Sequence, residues 1–200
     1  QKQYAQAAAD LDALIKAGTT VVVALIRQNT IWYAHAGDSR LYYFTGKKLF
    51  QLTKDHSYVS ELLDQKKISQ EEALIHPRKN EITKALGTND FIDPTICNSP
   101  LEPADSDYLL LCTDGLTNEL TNKEISDILA DDADVEEKCE ELKDKALEKG
   151  GLDNITVQLL NFYNTGKNQN PYFNVSESEH EKTKKYKMIT VIFVLIIAVI

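Results

Sequence analysis

Apolar residues recur along this chain in two periods. Over residues 2–16, Ala5, Ala8, Leu11, Leu14 and Ile15 fall at the spacing of one helix face, and Gly18 closes that helix as a C-terminal glycine would. The period then shortens. Residues 21–26, 31–36, 41–44 and 48–52 read as short strands, separated by Arg27-Gln28-Asn29, Gly37-Asp38-Ser39 and Thr45-Gly46. Short strands joined by tight turns predict a β-meander. Residues 55–90 change character again. Val59, Leu62 and Leu63 predict an amphipathic helix, and Ser69 with Glu72 forms a capping box for a second, stopped by His76-Pro77. Strands are predicted at 94–98 and 107–112. Two helices follow, opened by the capping pairs Thr121/Glu124 and Asp134/Glu137, and the second ends at Gly150-Gly151. Residues 154–162 read as the closing strand.

The last part of the chain breaks both patterns. Residues 164–187 are polar and aperiodic, which predicts a flexible linker. Residues 188–200 are almost wholly apolar, too few to cross a bilayer, which takes about 20 residues. Because the run continues to the last residue, it is expected to be the start of a transmembrane helix. Lys182, Lys184, Lys185 and Lys187 precede it, so the positive-inside rule puts the folded domain in the cytoplasm of a single-pass membrane protein.

Composition narrows the function classes. At 42% hydrophobic residues the chain has material for a core, and a net charge of −9 without a basic block in the body argues against nucleic acid. Cys97, Cys112 and Cys139 form no CxxC pair, so neither disulfide staples nor a zinc site is expected. Cysteine-dependent phosphate chemistry would place Arg six residues after its Cys, where this chain has Pro103, Asn118 and Lys145.

The candidate chemistry sits at two turns. Residues 108–112 form a strand-length apolar run that stops at Asp114-Gly115, and Gly150-Gly151-Leu152-Asp153-Asn154 leads into the closing strand. If the two strands are neighbours, Asp114 and Asp153 meet at one edge of one sheet. Paired carboxylates without a nearby cation suit a hard metal ion such as Mg²⁺ or Mn²⁺. The alternative is that each Asp caps its own turn.

Five phrases, in order, resemble one family: Gly18-Thr19-Thr20 before a Val-rich strand, Ala36-Gly37-Asp38-Ser39-Arg40, Leu52-Thr53-Lys54-Asp55-His56-Ser57, Cys112-Thr113-Asp114-Gly115-Leu116, and Asp153-Asn154-Ile155-Thr156-Val157. They are similar to the metal-dependent Ser/Thr protein phosphatases of type 2C (PPM), over residues 2–162. The segment from His76 to Gly87 is similar to the bacterial branch. The resemblance implies an α+β fold, a four-layer α/β/β/α sandwich of two antiparallel sheets flanked by helices. It also implies a binuclear Mg²⁺ or Mn²⁺ site, with a third, weaker metal in bacterial members. Asp114 and Asp153 match two metal ligands and Asp38 the residue serving the third metal, while residues 57–80 correspond to a flap that influences substrate choice. The implied reaction is hydrolysis of phosphoserine and phosphothreonine on cytoplasmic proteins by metal-activated water, without a phospho-enzyme. A membrane Ser/Thr kinase and its targets are the expected partners, and a monomer is the expected state.

The family's Arg-Xaa-Xaa-Asn-Glu-Asp and Asp-Gly-Xaa-Gly-Gly phrases, which supply a phosphate-binding Arg and a bridging Asp, do not occur here. Residues 1–163 are therefore expected to be the C-terminal two-thirds of a catalytic domain, partial and inactive by itself. Two readings stay open: a phosphatase, or a catalytically inactive membrane-tethered module that binds phosphoproteins. Three carboxylates kept at turns favour the enzyme. Among the other polar residues, His35 reads as a packed histidine and His56 as a structural residue, with the orienting of loops near the site as its alternative. Ser39 and Arg40 read as turn pins, Arg40 with a carboxylate partner, Asp55 as a helix cap, and Asn154 as a residue positioning Asp153.

Overall fold

The computed structural model describes residues 18–27, 29–87, 93–163 and 192–199. The helix expected over 2–16 and the linker expected over 164–187 lie outside them. The strands are β1 (Thr19–Arg27), β2 (Thr30–Ala36), β3 (Arg40–Thr45), β4 (Lys48–Gln51), β5 (Thr95–Ile96), β6 (Tyr108–Cys112), β7 (Val157–Asn161) and β8 (Ile192–Val199). The helices are α1 (Tyr58–Asp64), α2 (Gln70–Leu74), α3 (Asp114–Thr117), α4 (Asn122–Ala130) and α5 (Val135–Lys149).

The strands form two antiparallel sheets, ordered β5-β2-β1-β8 and β4-β3-β6-β7. The expected meander is therefore broken in the middle. β1 pairs with β2 and β3 with β4, but the chain changes sheets between β2 and β3. The cause lies in Gly37, whose φ is 111° and where a Cβ would come within 2.4 Å of Thr20 Cγ2. The backbone presses against β1 there and leaves the plane of its sheet, a step that apolar periodicity does not register.

β6 explains the packing. Leu109, Leu110, Leu111 and Cys112 are all completely buried. Leu109 and Leu111 join Val22, Ala24, Ile31 and Leu41 between the two sheets. Leu110 and Cys112 point the other way, into a cluster with Tyr42, Phe44, Ile125, Ile128, Leu129, Leu142 and Ala146. Alternate residues of one strand thus serve two cores, so the run reads as continuously apolar. Each fully buried leucine contributes about 1.5–3 kcal/mol. The second core is closed by α4 and α5, whose buried residues recur at three- and four-residue steps. Sheet on sheet with a helical layer outside is the architecture the sequence implied.

Local signals fare well. The capping boxes at Ser69/Glu72 and Thr121/Glu124 are both formed, and Asp134 caps α5 by accepting the Glu137 N–H at 2.9 Å. Asp55 does not cap α1. Ser57 does so, accepting the Ser60 N–H, while Asp55 takes the Arg40 guanidinium in a two-pronged contact at 2.9 and 2.6 Å. A planar fork satisfied by a carboxylate is the better bond for Asp55.

The run 188–200 was expected to start a transmembrane helix, and its described part is a strand. Residues 192–199 are β8, antiparallel to β1 from Thr19↔Val199 to Ile26↔Ile192. The segment Ile192-Phe193-Val194-Leu195-Ile196-Ile197 is rich in β-branched residues, and β1 offers it an edge of unpaired backbone groups. Among the described residues no helix is long and apolar enough to cross a membrane. Leu195→Pro puts a fixed φ and a ring in the middle of β8, opposite Val23. It is expected to speed hydrogen exchange of the β1 amides from Val22 to Leu25, and unchanged exchange would show that β8 does not cover this edge.

Candidate metal centre

One row of the β4-β3-β6-β7 sheet sets the site. Arg40 of β3 faces Cys112 of β6, which faces Val157 of β7. Because neighbouring strands run antiparallel, the chain just beyond this row is Asp38 before β3, Asp114 after β6 and Asp153 before β7. The condition posed by the sequence, that the strands of Asp114 and Asp153 be neighbours, is met. The same geometry brings in Asp38 from the crossing between the sheets.

The join between β6 and β7 is held by Thr113. Its Oγ1 donates to the Asn154 carbonyl at 2.9 Å and accepts the Thr156 N–H at 3.0 Å, and its own N–H donates to the Thr156 carbonyl at 3.1 Å. Thr113 precedes α3 but makes no side-chain cap there, because its hydroxyl is engaged across the gap. Gly115 lies inside α3, and a Cβ would stand 2.5 Å from the Asn154 carbonyl oxygen. The Asp-Gly pair reflects close approach of two backbones, which brings the Asp114 and Asp153 loops together.

The carboxylates are braced individually. Asn118 Nδ2 donates to Asp114 Oδ2 at 3.2 Å, one helical turn on, and the Asn154 N–H donates to Asp153 Oδ1 at 2.7 Å. The Asn154 amide thus does what was expected of that residue. Burial raises the Asp114 carboxyl above its ordinary value, and the charge of Asp153 raises it further. Burial also pushes Asp38 up to about 6, with added repulsion from Asp114 and Asp55. Among the described residues none of the three forms an ion pair with Lys or Arg, since Arg40 is spent on Asp55.

Asp114 repels both Asp38 and Asp153, and Arg40, whose charge eases Asp38, is already engaged by Asp55; carboxylates so placed are oxygen donors of the kind Mg²⁺ and Mn²⁺ take. They are not a closed cage. Among the described residues no three His, Cys, Asp or Glu converge tightly enough to hold a metal ion by themselves. Asp114, Asp153 and Asp38 are thus of the donor chemistry a hard cation takes, without forming a complete site among the described residues.

The other candidates fall where the residues implied. His35 is packed in β2, with Nε2 against the Lys54 carbonyl at 2.8 Å. Ser39 meets Thr20 hydroxyl to hydroxyl at 2.8 Å, pinning the crossing. Cys97, Cys112 and Cys139 are free thiols. Thr113 and Asn118 were not singled out from sequence. The four-residue step from Asp114 to Asn118 was a usable signal, whereas the hydroxyl bridge of Thr113 needed strand pairing to be seen.

Comparison with known proteins gives this arrangement relatives. A protein phosphatase PhpP from Streptococcus pneumoniae is 47% identical over 143 residues, covering 72% of this chain and 57% of its own length. The solved serine/threonine phosphatase of S. agalactiae superposes with a TM-score of 0.68 at 38% identity, covering 71% of this chain and 58% of that one. The catalytic domain of the serine/threonine protein phosphatase PstP, solved in complex with two manganese ions, gives a TM-score of 0.62 at 34% identity, covering 71% and 57%. The chain thus spans somewhat over half the length of the proteins it matches. The family profile described as Protein phosphatase 2C matches residues 1–155. With that profile over most of its length and the same fold in its solved relatives, the chain belongs to the protein phosphatase 2C family.

Proposed function

We propose that this chain supplies part of the active centre of a metal-dependent protein serine/threonine phosphatase, with Asp114, Asp153 and Asp38 as carboxylates toward Mg²⁺ or Mn²⁺. The observation that carries the reading is the convergence of three acidic loops beyond the Arg40-Cys112-Val157 row, with no cation paired to them among the described residues. Membership of the family and the named activities of the relatives support it.

The chain's own contribution is placement. Asn118 and the Asn154 amide each fix one oxygen of a carboxylate, so Asp114 and Asp153 are oriented before any ligand arrives. When bound, Mg²⁺ or Mn²⁺ lowers the pKa of water and offsets the charge of a phosphoryl group. Asp38 is the carboxylate that this reading gives to the weaker, third position. The substrates in this reading are phosphoserine and phosphothreonine side chains on proteins. A protein kinase that phosphorylates the same proteins is the natural supplier of such substrates.

Two outcomes test the assignment. In the full-length natural protein, Mn²⁺-dependent phosphate release from a phosphothreonine peptide is expected to fall by about a hundredfold or more in Asp114→Asn. Near-normal rates in a folded variant would remove Asp114 from the centre. The second outcome concerns stability in EDTA. The folded chain holds a proton on Asp38 between its ordinary 3.8 and about 6, where the unfolded chain has lost it. Stability from this group is therefore full below about pH 4 and falls as pH rises through about 6. Asp38→Asn is expected to raise the melting temperature by a few degrees at pH 7 and leave it unchanged at pH 4. An equal shift at both pH values would contradict this placement of Asp38.

A further inference from the structure

His56 occupies a position that the metal centre alone does not explain. Its ring lies flat on that of His35, with centroids 4.5 Å apart and planes within 6°. Its Nδ1 accepts the Gly37 N–H at 3.1 Å, and its own backbone N–H donates to the Gly37 carbonyl at 3.0 Å. Both backbone polar groups of Gly37 are thus taken by one residue, 19 positions away, and Asp38 follows directly. An amide N–H can only donate, so Nδ1 is unprotonated and the ring proton sits on Nε2, 2.8 Å from Thr95 Oγ1 of β5.

The other side of His56 faces the excursion between β4 and β5. Its carbonyl accepts the Thr83 N–H at 2.8 Å. Ser57 then bridges to Ile82, and the Tyr58 N–H donates to the Glu81 carbonyl at 2.9 Å. The loop from 57 to 83 therefore leaves and returns at His56. Within it, Arg78 lies over the Tyr58 ring at 3.6 Å and pairs with Glu81 at 2.5 Å, so the returning limb is tied to the departing one. A displacement of this loop acts on Thr83, His56 and Gly37 in turn before it reaches Asp38.

We propose that His56 is a positioning residue that couples the 57–83 loop to Asp38 by clasping Gly37 through its backbone N–H and an unprotonated Nδ1. The inference rests on the reading of Asp38 as a metal-facing carboxylate. Gly37 has no freedom to adjust alone, since Thr20 Cγ2 fills the space a side chain would take and φ is already 111°. The His35 ring fixes the plane of His56, and the Gly37 N–H fixes its tautomer. Burial and neighbouring His35 and Lys84 hold the ring neutral, with its pKa lowered to about 4, so the Nδ1 lone pair persists at physiological pH.

Two variants separate this from a merely structural histidine. In His56→Asn the side-chain oxygen falls near the place of Nδ1 and can still accept the Gly37 N–H, while in His56→Gln the amide reaches toward Thr95 instead. The full-length natural protein is compared with both by hydrogen exchange of the Gly37 amide in EDTA and by Mn²⁺ titration with free Mn²⁺ counted by EPR. His56→Gln is expected to speed Gly37 exchange and weaken the weakest class of Mn²⁺ sites, each by about tenfold, the change that goes with losing one internal hydrogen bond. His56→Asn is expected to restore both to near wild type, with the two variants melting at similar temperatures. Gly37 exchange unchanged in His56→Gln overturns the clasp. Faster exchange with unaltered Mn²⁺ binding overturns the coupling to Asp38. Mn²⁺ binding that ignores Asp114→Asn as well would instead sink the metal-site reading, and the coupling with it, while the exchange result still judges the clasp.

Discussion

The central constraint of this molecule is that β6 is buried on both faces. Leu109 and Leu111 bind the two sheets together, while Leu110 and Cys112 bind the sheet to its helices. A strand used twice in this way cannot slide by one residue, because the slip would exchange the two cores. Fixing β6 fixes the row Arg40-Cys112-Val157, and fixing that row places the ends of three loops. The acidic site is thus a consequence of register. It needs no special scaffold, only strands that cannot shift and loops that start at the same level.

Around that frame the polar contacts are concentrated where the loops leave it. Thr113 bolts the Asp153 loop to the end of β6, and His56 clasps the turn that carries Asp38. Arg40 engages Asp55 and continues through the Tyr42 hydroxyl to Asn122 at the start of α4. Among the described residues these bonds leave Asp38, Asp114 and Asp153 without a salt bridge to Lys or Arg, while Asp114 and Asp153 keep their hydrogen bonds to Asn118 and the Asn154 N–H.

Much of this was legible in the sequence. Strand existence and helix starts followed from period and capping residues, whereas the pairing of the Asp114 and Asp153 strands was posed only as a condition, which the structure meets. The strand limits were read too generously: the expected strand at 94–98 is only Thr95–Ile96. What periodicity could not convey was which sheet a strand enters. β2 and β3 both alternate properly, and the crossing between them depends on Gly37 meeting Thr20, a contact between distant positions. Nor does sequence convey why Gly115 is a glycine, since close approach and sharp turning select the same residue and only the contact with Asn154 decides between them. The apolar run at 188–200 was ambiguous by nature. Hydropathy alone does not distinguish the start of a membrane helix from a strand, and here the open edge of β1 decided for the strand.

The account's central claim is that register assembles a hard-cation site from these three loops. Anomalous diffraction at the manganese edge, from crystals of the full-length natural protein grown with Mn²⁺, tests it most directly. The expected result is manganese within about 2.5 Å of carboxylate oxygens of Asp114 and Asp153, with a weaker peak beside Asp38. Manganese found only elsewhere, or none at saturating concentration, would contradict it.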